Sequence, residues 1–182
     1  FARFEEAASG PLAALRRSLS LMRLKSLFAG CAAVTASGRH LAELATGLGL
    51  VADAPFIPNG VDLQELTPAS ASERAALRRR WDLPPGRPVL LSIQGLAGRK
   101  GSHNLLDAFA SAQALRPEAF LVVVGGGPDL EPLRARASAE GLGDSVRFLG
   151  FRSHEVCVDL YRAADLYLQL PLREEGVSQT AL

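Results

Sequence analysis

Three short stretches combine residue types able to hold an anion or a hydroxyl-rich ligand. Gly95-Leu96-Ala97-Gly98-Arg99-Lys100-Gly101 sets two adjacent cations in a glycine-rich loop. Arginine grips a phosphate through a two-pronged fork and lysine acts on it as a point charge. The residues that follow have helical spacing, and a helix N-terminus adds unpaired N–H groups and a positive dipole end. Together these suit a diphosphate, although an Arg-Lys pair in a surface turn is also a common solvated feature. Gly125-Gly126-Gly127-Pro128 lets backbone approach a ligand closely and puts a proline near a first helical turn, where its missing N–H costs little. The last eleven residues, 172–182, carry Glu174 and Glu175 ahead of Gly176, Val177 and Ser178. A carboxylate there can accept hydrogen bonds from sugar hydroxyls, and the three N–H groups can meet a phosphate or hydroxyl at the start of a helix. The plain alternative is an exposed acidic turn.

Other candidates are weaker. The glycine run resembles the opening of a dinucleotide fingerprint, but the third glycine of that pattern falls on Leu130, and the strand ending Phe148-Leu149-Gly150 has no ribose-binding acid. A dinucleotide-dependent oxidoreductase is therefore a remote alternative. Arg152 and His154 have no visible partner, and His154 reads as a helix-start residue rather than a catalytic base.

The elements that would position these loops alternate in type. Strands are expected over 89–94, 119–124, 145–149 and 165–170, with helices over 102–115, 129–140 and 154–164 between them. The strands are nearly continuous apolar runs, as burial under helices on both faces requires. Right-handed crossovers then give a doubly wound parallel sheet whose ligands sit beyond the carboxyl ends of the strands. Upstream, residues 11–30 read as an amphipathic helix with Leu12, Leu15, Leu19, Met22 and Phe28 on one side and Arg16, Arg17, Arg23 and Lys25 on others. Its basic side reads first as an ordinary solvated face, with peripheral contact to an anionic membrane as the alternative. A short strand over 31–35, a helix over 39–48 capped by Ser37, a second short strand over 54–57 and the turn Pro58-Asn59-Gly60 follow. Residues 61–87, with Pro68, the small polar residues 69–72, a short charged helix through Arg78, Arg79 and Arg80, and then Pro84, Pro85 and Gly86, read as a linker region between domains.

Composition sets wider bounds. The 182 residues are 48% hydrophobic and 21% charged with a formal net charge of +1, which fits a folded domain and gives no field for nucleic acid. Three histidines scattered along the chain are too few for a metal cluster. Cys31 and Cys157 stand in apolar contexts and read as buried free thiols of a reducing compartment, so a cytoplasmic location is expected. The sequence opens on Phe1 and its one methionine is Met22, so targeting information is absent or lies outside it, and a fragment is expected. No apolar run approaches the roughly 20 residues that span a bilayer.

In order and spacing, four segments resemble the retaining, two-domain nucleotide-sugar glycosyltransferases of the glycosyl transferases group 1 family, also called family 4. They are Ile57-Pro58-Asn59-Gly60-Val61-Asp62, Leu96 to Gly101, Val122 to Pro128 with Val146-Arg147-Phe148-Leu149-Gly150, and Ala163-Ala164-Asp165 leading to Glu175-Gly176. The resemblance implies a GT-B-type α/β fold: residues 1–60 would be the end of an acceptor-side Rossmann-like domain, 61–87 a linker and 88–182 an incomplete donor-binding domain. It implies that Arg99 and Lys100 bind the donor diphosphate, that Gly126 and Gly127 line the nucleotide cleft, and that Glu175, Gly176, Val177 and Ser178 hold the donor sugar. The Glu174-Glu175 doublet leaves open which carboxylate is the family's sugar ligand. Many members have Gly-Arg-Leu where this chain has Gln94-Gly95-Leu96, so one family arginine is missing and Arg99 is its expected substitute. The implied partners are a UDP-, GDP- or ADP-sugar donor and a saccharide, lipid or small-molecule acceptor, with no cofactor and no metal. The family's second glutamate falls just past Leu182, so catalysis is not expected from these residues alone. A non-catalytic nucleotide-sugar binding protein is the main alternative.

Overall fold

The computed structural model describes residues 11–172, which divide into two compact units between Asn59 and Gly60. In the first unit, α1 (Pro11–Ala29) and α2 (Arg39–Gly47) form where the periodicity places them. The N-cap of α2 is Gly38, without a side-chain cap, rather than Ser37. Its other end is closed by Gly49 at φ +60°, with the Leu50 N–H reaching the Ala45 carbonyl at 3.0 Å, a turn that needs the left-handed conformation glycine adopts freely. The short strands expected at 31–35 and 54–57 reduce to one parallel bridge, Ala36 to Phe56. Apolar content alone does not make a strand, because the ladder needs a neighbour along its length, and among the described residues these segments share one bridge. Cys31 is consequently exposed, correcting its reading as a buried thiol, while Cys157 is half-buried and burial pushes its thiol pKa up; both are free.

The second unit opens with α3 (Ala71–Arg80), started by a reciprocal capping box in which the Ser70 N–H donates to Glu73 Oε2 at 2.8 Å and the Glu73 N–H to Ser70 Oγ at 3.3 Å. Part of the stretch read as linker is therefore packed structure, and Leu77, Trp81 and Leu83 join the core. From there the order is β1 (Val89–Ile93), α4 (Ser102–Leu115), β2 (Phe120–Val124), α5 (Leu130–Ala139), β3 (Val146–Gly150), α6 (His154–Ala163) and β4 (Leu166–Tyr167). All strand pairs are parallel, in the spatial order β3-β2-β1-β4.

Burial follows from that layering. Every residue of β2 is buried, which only a strand covered on both faces allows. Leu121 and Val123 pack with Leu105, Leu106 and Phe109 of α4 and Leu133 of α5. Phe120, Val122 and Val124 pack on the other face with Leu160 and Ala163 of α6. The chain is thus an α/β protein with a doubly wound parallel sheet.

The amino end of this sheet spends its charge internally. The Asp165 carboxylate accepts from the Val89 N–H at 2.8 Å, from Arg78 Nη2 at 2.6 Å and from Arg74 Nη1 at 3.2 Å, while the Asp165 N–H donates to the Val89 carbonyl at 2.8 Å. Arg87 donates to the Glu118 and Ala119 carbonyls at 2.7 and 3.0 Å, and Arg147 to the Asp82 carbonyl at 2.6 Å. Among the described residues no helix is long and apolar enough to cross a membrane.

Candidate functional site

The strand order determines where a ligand fits. From β1 the chain steps to β2 and β3 on one side, then returns to place β4 on the other side of β1. Crossovers on opposite sides leave a crevice beyond the carboxyl ends of β1 and β4, the topological switch point of such sheets. The loop after β1 lies there. Arg99 and Lys100 occupy a 3-10 turn, Gly98–Lys100, closed by the Lys100 N–H on the Ala97 carbonyl at 2.8 Å and the Gly101 N–H on the Gly98 carbonyl at 3.0 Å. Arg99 is exposed and Lys100 half-buried. α4 starts immediately afterwards, its N-cap Gly101 having no side-chain cap hydrogen bond among the described residues. Two cations and a helix N-terminus thus converge at one sheet end, where they can compensate a diphosphate.

This turn is braced from three sides. Gly101 has φ +72°, and a Cβ added there would fall 1.7 Å from the Leu170 carbonyl oxygen, so the loop lies directly against the segment after β4. The hydroxyl of the buried Ser102 is 3.0 Å from the Ala97 carbonyl and 2.8 Å from Asp129 Oδ2, and its single proton serves one of these acceptors at a time. The Asp129 N–H donates to the Leu96 carbonyl at 3.1 Å. Asp129 therefore links the glycine loop after β2 to the cationic turn after β1 through both its backbone and its side chain.

The three glycines have different roles. The β1–β2 ladder continues past both strands, with the Gln94 N–H on the Val124 carbonyl at 3.0 Å and the Leu96 N–H on the Gly126 carbonyl at 2.9 Å. A Cβ added at Gly125 would lie 1.9 Å from the Gln94 carbonyl oxygen, and at Gly127 2.1 Å from that of Leu96. Both positions have positive φ, so glycine is needed there for backbone packing. A Cβ at Gly126 would meet nothing within 4 Å, which makes Gly126 the glycine that faces open space. Leu130, at the place of a dinucleotide fingerprint's third glycine, packs against the α4 side of the core.

Of the other residues singled out from the sequence, Glu174, Glu175, Gly176, Val177 and Ser178 lie outside the described residues. Asp165 sits at the amino end of β4, away from the switch point, where its partners are structural. His154 opens α6 and pairs with Glu65 at 3.0 Å, and that hydrogen bond raises its pKa. Arg152 donates to the Phe151 carbonyl at 2.8 Å. Sequence reasoning missed Gln94, a polar residue closing an apolar strand, and the pair Ser102 and Asp129. It also missed Phe151, 83% exposed just after β3 at the same sheet end.

Comparison with known proteins agrees with this arrangement. Residues 73–182 match the family model described as glycosyl transferases group 1. The GDP-mannose-dependent alpha-(1-6)-phosphatidylinositol monomannoside mannosyltransferase of Mycobacterium tuberculosis is 35% identical over 134 residues, which are 74% of this chain and 34% of that one. The D-inositol 3-phosphate glycosyltransferase of Corynebacterium jeikeium is 36% identical over 137 residues, 69% of this chain and 32% of that one. The chain thus spans about a third of the length of the curated relatives it matches. Among solved structures, Anabaena HepE in complex with UDP-glucose superimposes with a TM-score of 0.75 at 24% identity over 89% of this chain and 46% of that one. That last likeness is one of fold.

Proposed function

Because the chain belongs to the glycosyl transferases group 1 family, we propose that the whole protein transfers a sugar from a nucleotide-diphosphate-sugar to an acceptor, with retention of anomeric configuration. The observation that carries this reading is the cationic 3-10 turn at the N-terminus of α4, set at the switch point of the sheet. Negative charge grows on the departing diphosphate in the transition state, and preorganised positive charge is most effective where charge develops. Arg99 and Lys100 supply that charge together with the α4 dipole, so the reading needs no metal ion. Gly126 borders the nucleotide, and Gly127 holds the loop in place beside it. Glu175, with the N–H groups of Gly176, Val177 and Ser178, takes the donor sugar by resemblance to the family. Residues 1–60 then belong to the acceptor side and 88–182 to the donor side.

Relatives that use GDP-mannose and a fold neighbour solved with UDP-glucose support a nucleotide-sugar donor. The acceptor classes remain saccharide, lipid or small molecule, and the free thiols fit a cytoplasmic site of action, which peripheral binding at the inner membrane face would not alter. The test is transfer by the full-length parent with UDP-, GDP- and ADP-sugars, with product anomers assigned by NMR. Activity with one donor, abolished or strongly reduced by Lys100→Ala and Glu175→Ala and retained in EDTA, is the expected result. Nucleotide binding without turnover across a broad acceptor set would point instead to a binding protein, an outcome to which the missing family arginine at Gly95 lends interest.

A further inference from the structure

Gln94, just past the carboxyl end of β1, is a buried amide with no hydrogen-bond partner among the described residues. Alternation along β1 puts Leu90, Ser92 and Gln94 on the face covered by α4, since Leu90 packs with Leu105, Leu106 and Phe109. Gln94 is 8% exposed, and neither its Nε2 nor its Oε1 has a hydrogen-bond partner among the described residues. Buried polar side chains are ordinarily satisfied, and an orphan invites a functional account. An apolar residue of the same shape would avoid the desolvation of two polar atoms. The same sheet end holds the cationic turn and the uncapped start of α4.

We propose that Gln94 is a specificity-determining residue of the donor site, its amide reading a hydroxyl group of the nucleotide-sugar rather than its phosphates. The proposal rests on the donor-site reading above. Ionised phosphate oxygens only accept, so they would pair with Nε2 and leave Oε1 orphaned. A sugar hydroxyl both donates and accepts, as does a vicinal pair, and satisfies both ends of the amide. A site built to hydrogen-bond a hydroxyl discriminates strongly, because the wrong ligand leaves its buried groups unpaired. The amide is neutral, so it adds this discrimination beneath α4 without a further buried charge.

The experiment uses the full-length parent and its Gln94→Met, Gln94→Asn and Lys100→Ala variants. Affinities are measured for inorganic pyrophosphate, for UDP and GDP, and for UDP-glucose and GDP-mannose, alongside thermal unfolding. Gln94→Met is expected to raise Tm by a few degrees, about 2–4 °C, and to weaken nucleotide-sugar binding roughly tenfold or more, with pyrophosphate unchanged. Gln94→Asn, which keeps an amide but draws it back by one methylene, is expected to lose affinity similarly. A loss confined to the nucleotide-sugars identifies the transferred sugar's hydroxyl, and a loss shared with UDP or GDP identifies the ribose; both support the proposal. Unchanged nucleotide-sugar affinity in both Gln94 variants, or a matching loss for pyrophosphate, overturns it. If Lys100→Ala weakens none of the probes, the donor-site reading itself falls; if it weakens them while the Gln94 variants do not, the Gln94 proposal falls alone.

Discussion

A methyl group at Gly127 would collide with the Leu96 carbonyl oxygen, whereas one at Gly126 would project into open space. Gly127→Ala is therefore expected to destabilise the fold by about 1–3 kcal/mol through strain at its positive φ and displacement of the Leu96 backbone. Gly126→Ala should leave chemical denaturation nearly unchanged and lower donor affinity; equal stability losses in the two variants would contradict this division. Lys100→Ala is expected to weaken nucleoside diphosphate binding about 10- to 100-fold, the size of a lost hydrogen bond to a charged group, and to reduce its salt sensitivity in titration calorimetry. The types of these residues were legible in the sequence, because adjacent cations and a glycine run stand out wherever they occur. Which glycine faces space and which one locks backbone to backbone was not, since that depends on a loop about 30 residues away in the chain. The role of Gln94 is illegible for a similar reason: its identity says nothing of whether a partner reaches it.

Among the elements, α4 and α5 are joined at their amino ends by Ser102 and Asp129. Replacing Ser102 by Ala removes the hydroxyl between Ala97 and the Asp129 carboxylate, and a double-mutant cycle with Asp129→Asn should show coupling of about 0.5–1.5 kcal/mol in unfolding free energy. Additive effects would mean that the two side chains act separately. At the opposite end, Asp165 ties α3, β1 and β4 together. Burial disfavours its charge, but the Val89 N–H, Arg78 and Arg74 outweigh burial and hold its pKa below the ordinary value. The folded pKa lies below the unfolded one, so this stabilisation is fully present above about pH 4 and is lost as pH falls through the lowered folded value. Asp165→Asn should reduce stability near neutrality by about 1–3 kcal/mol, because the Val89 N–H and Arg78 lose an anionic acceptor. It should also flatten the acid limb of a stability-versus-pH profile measured by urea unfolding. An unchanged acid limb would show that other carboxylates set it.

At the scale of the molecule, β1 to β3 and α4 to α6 were readable from the sequence, because a strand buried on both faces announces itself as an unbroken apolar run such as Phe120–Val124, whereas the strand expected over 165–170 is limited to Leu166–Tyr167, with Leu166 exposed. The first unit was less so: its apolar runs at 31–35 and 54–57 look like strands, yet they share one bridge. Its α1 exposes Leu12 at 75%, Leu15 at 57% and Met22 at 64%, and surface of that kind drives association. The 182-residue chain expressed by itself is expected to self-associate in analytical ultracentrifugation, and Leu15→Glu with Leu19→Glu to shift it towards monomer. A monodisperse monomer without those changes would refute the expectation. A different consequence follows from the interlocked backbones of 94–96 and 125–127, which leave no room for a side chain at Gly125 or Gly127. The two loops form one cassette. Chimeras that import a relative's loop after β1 while keeping the native loop after β2 should fold poorly, and exchanging both together should restore folding. Recombination within this family would then be constrained to move the pair as a single heritable block.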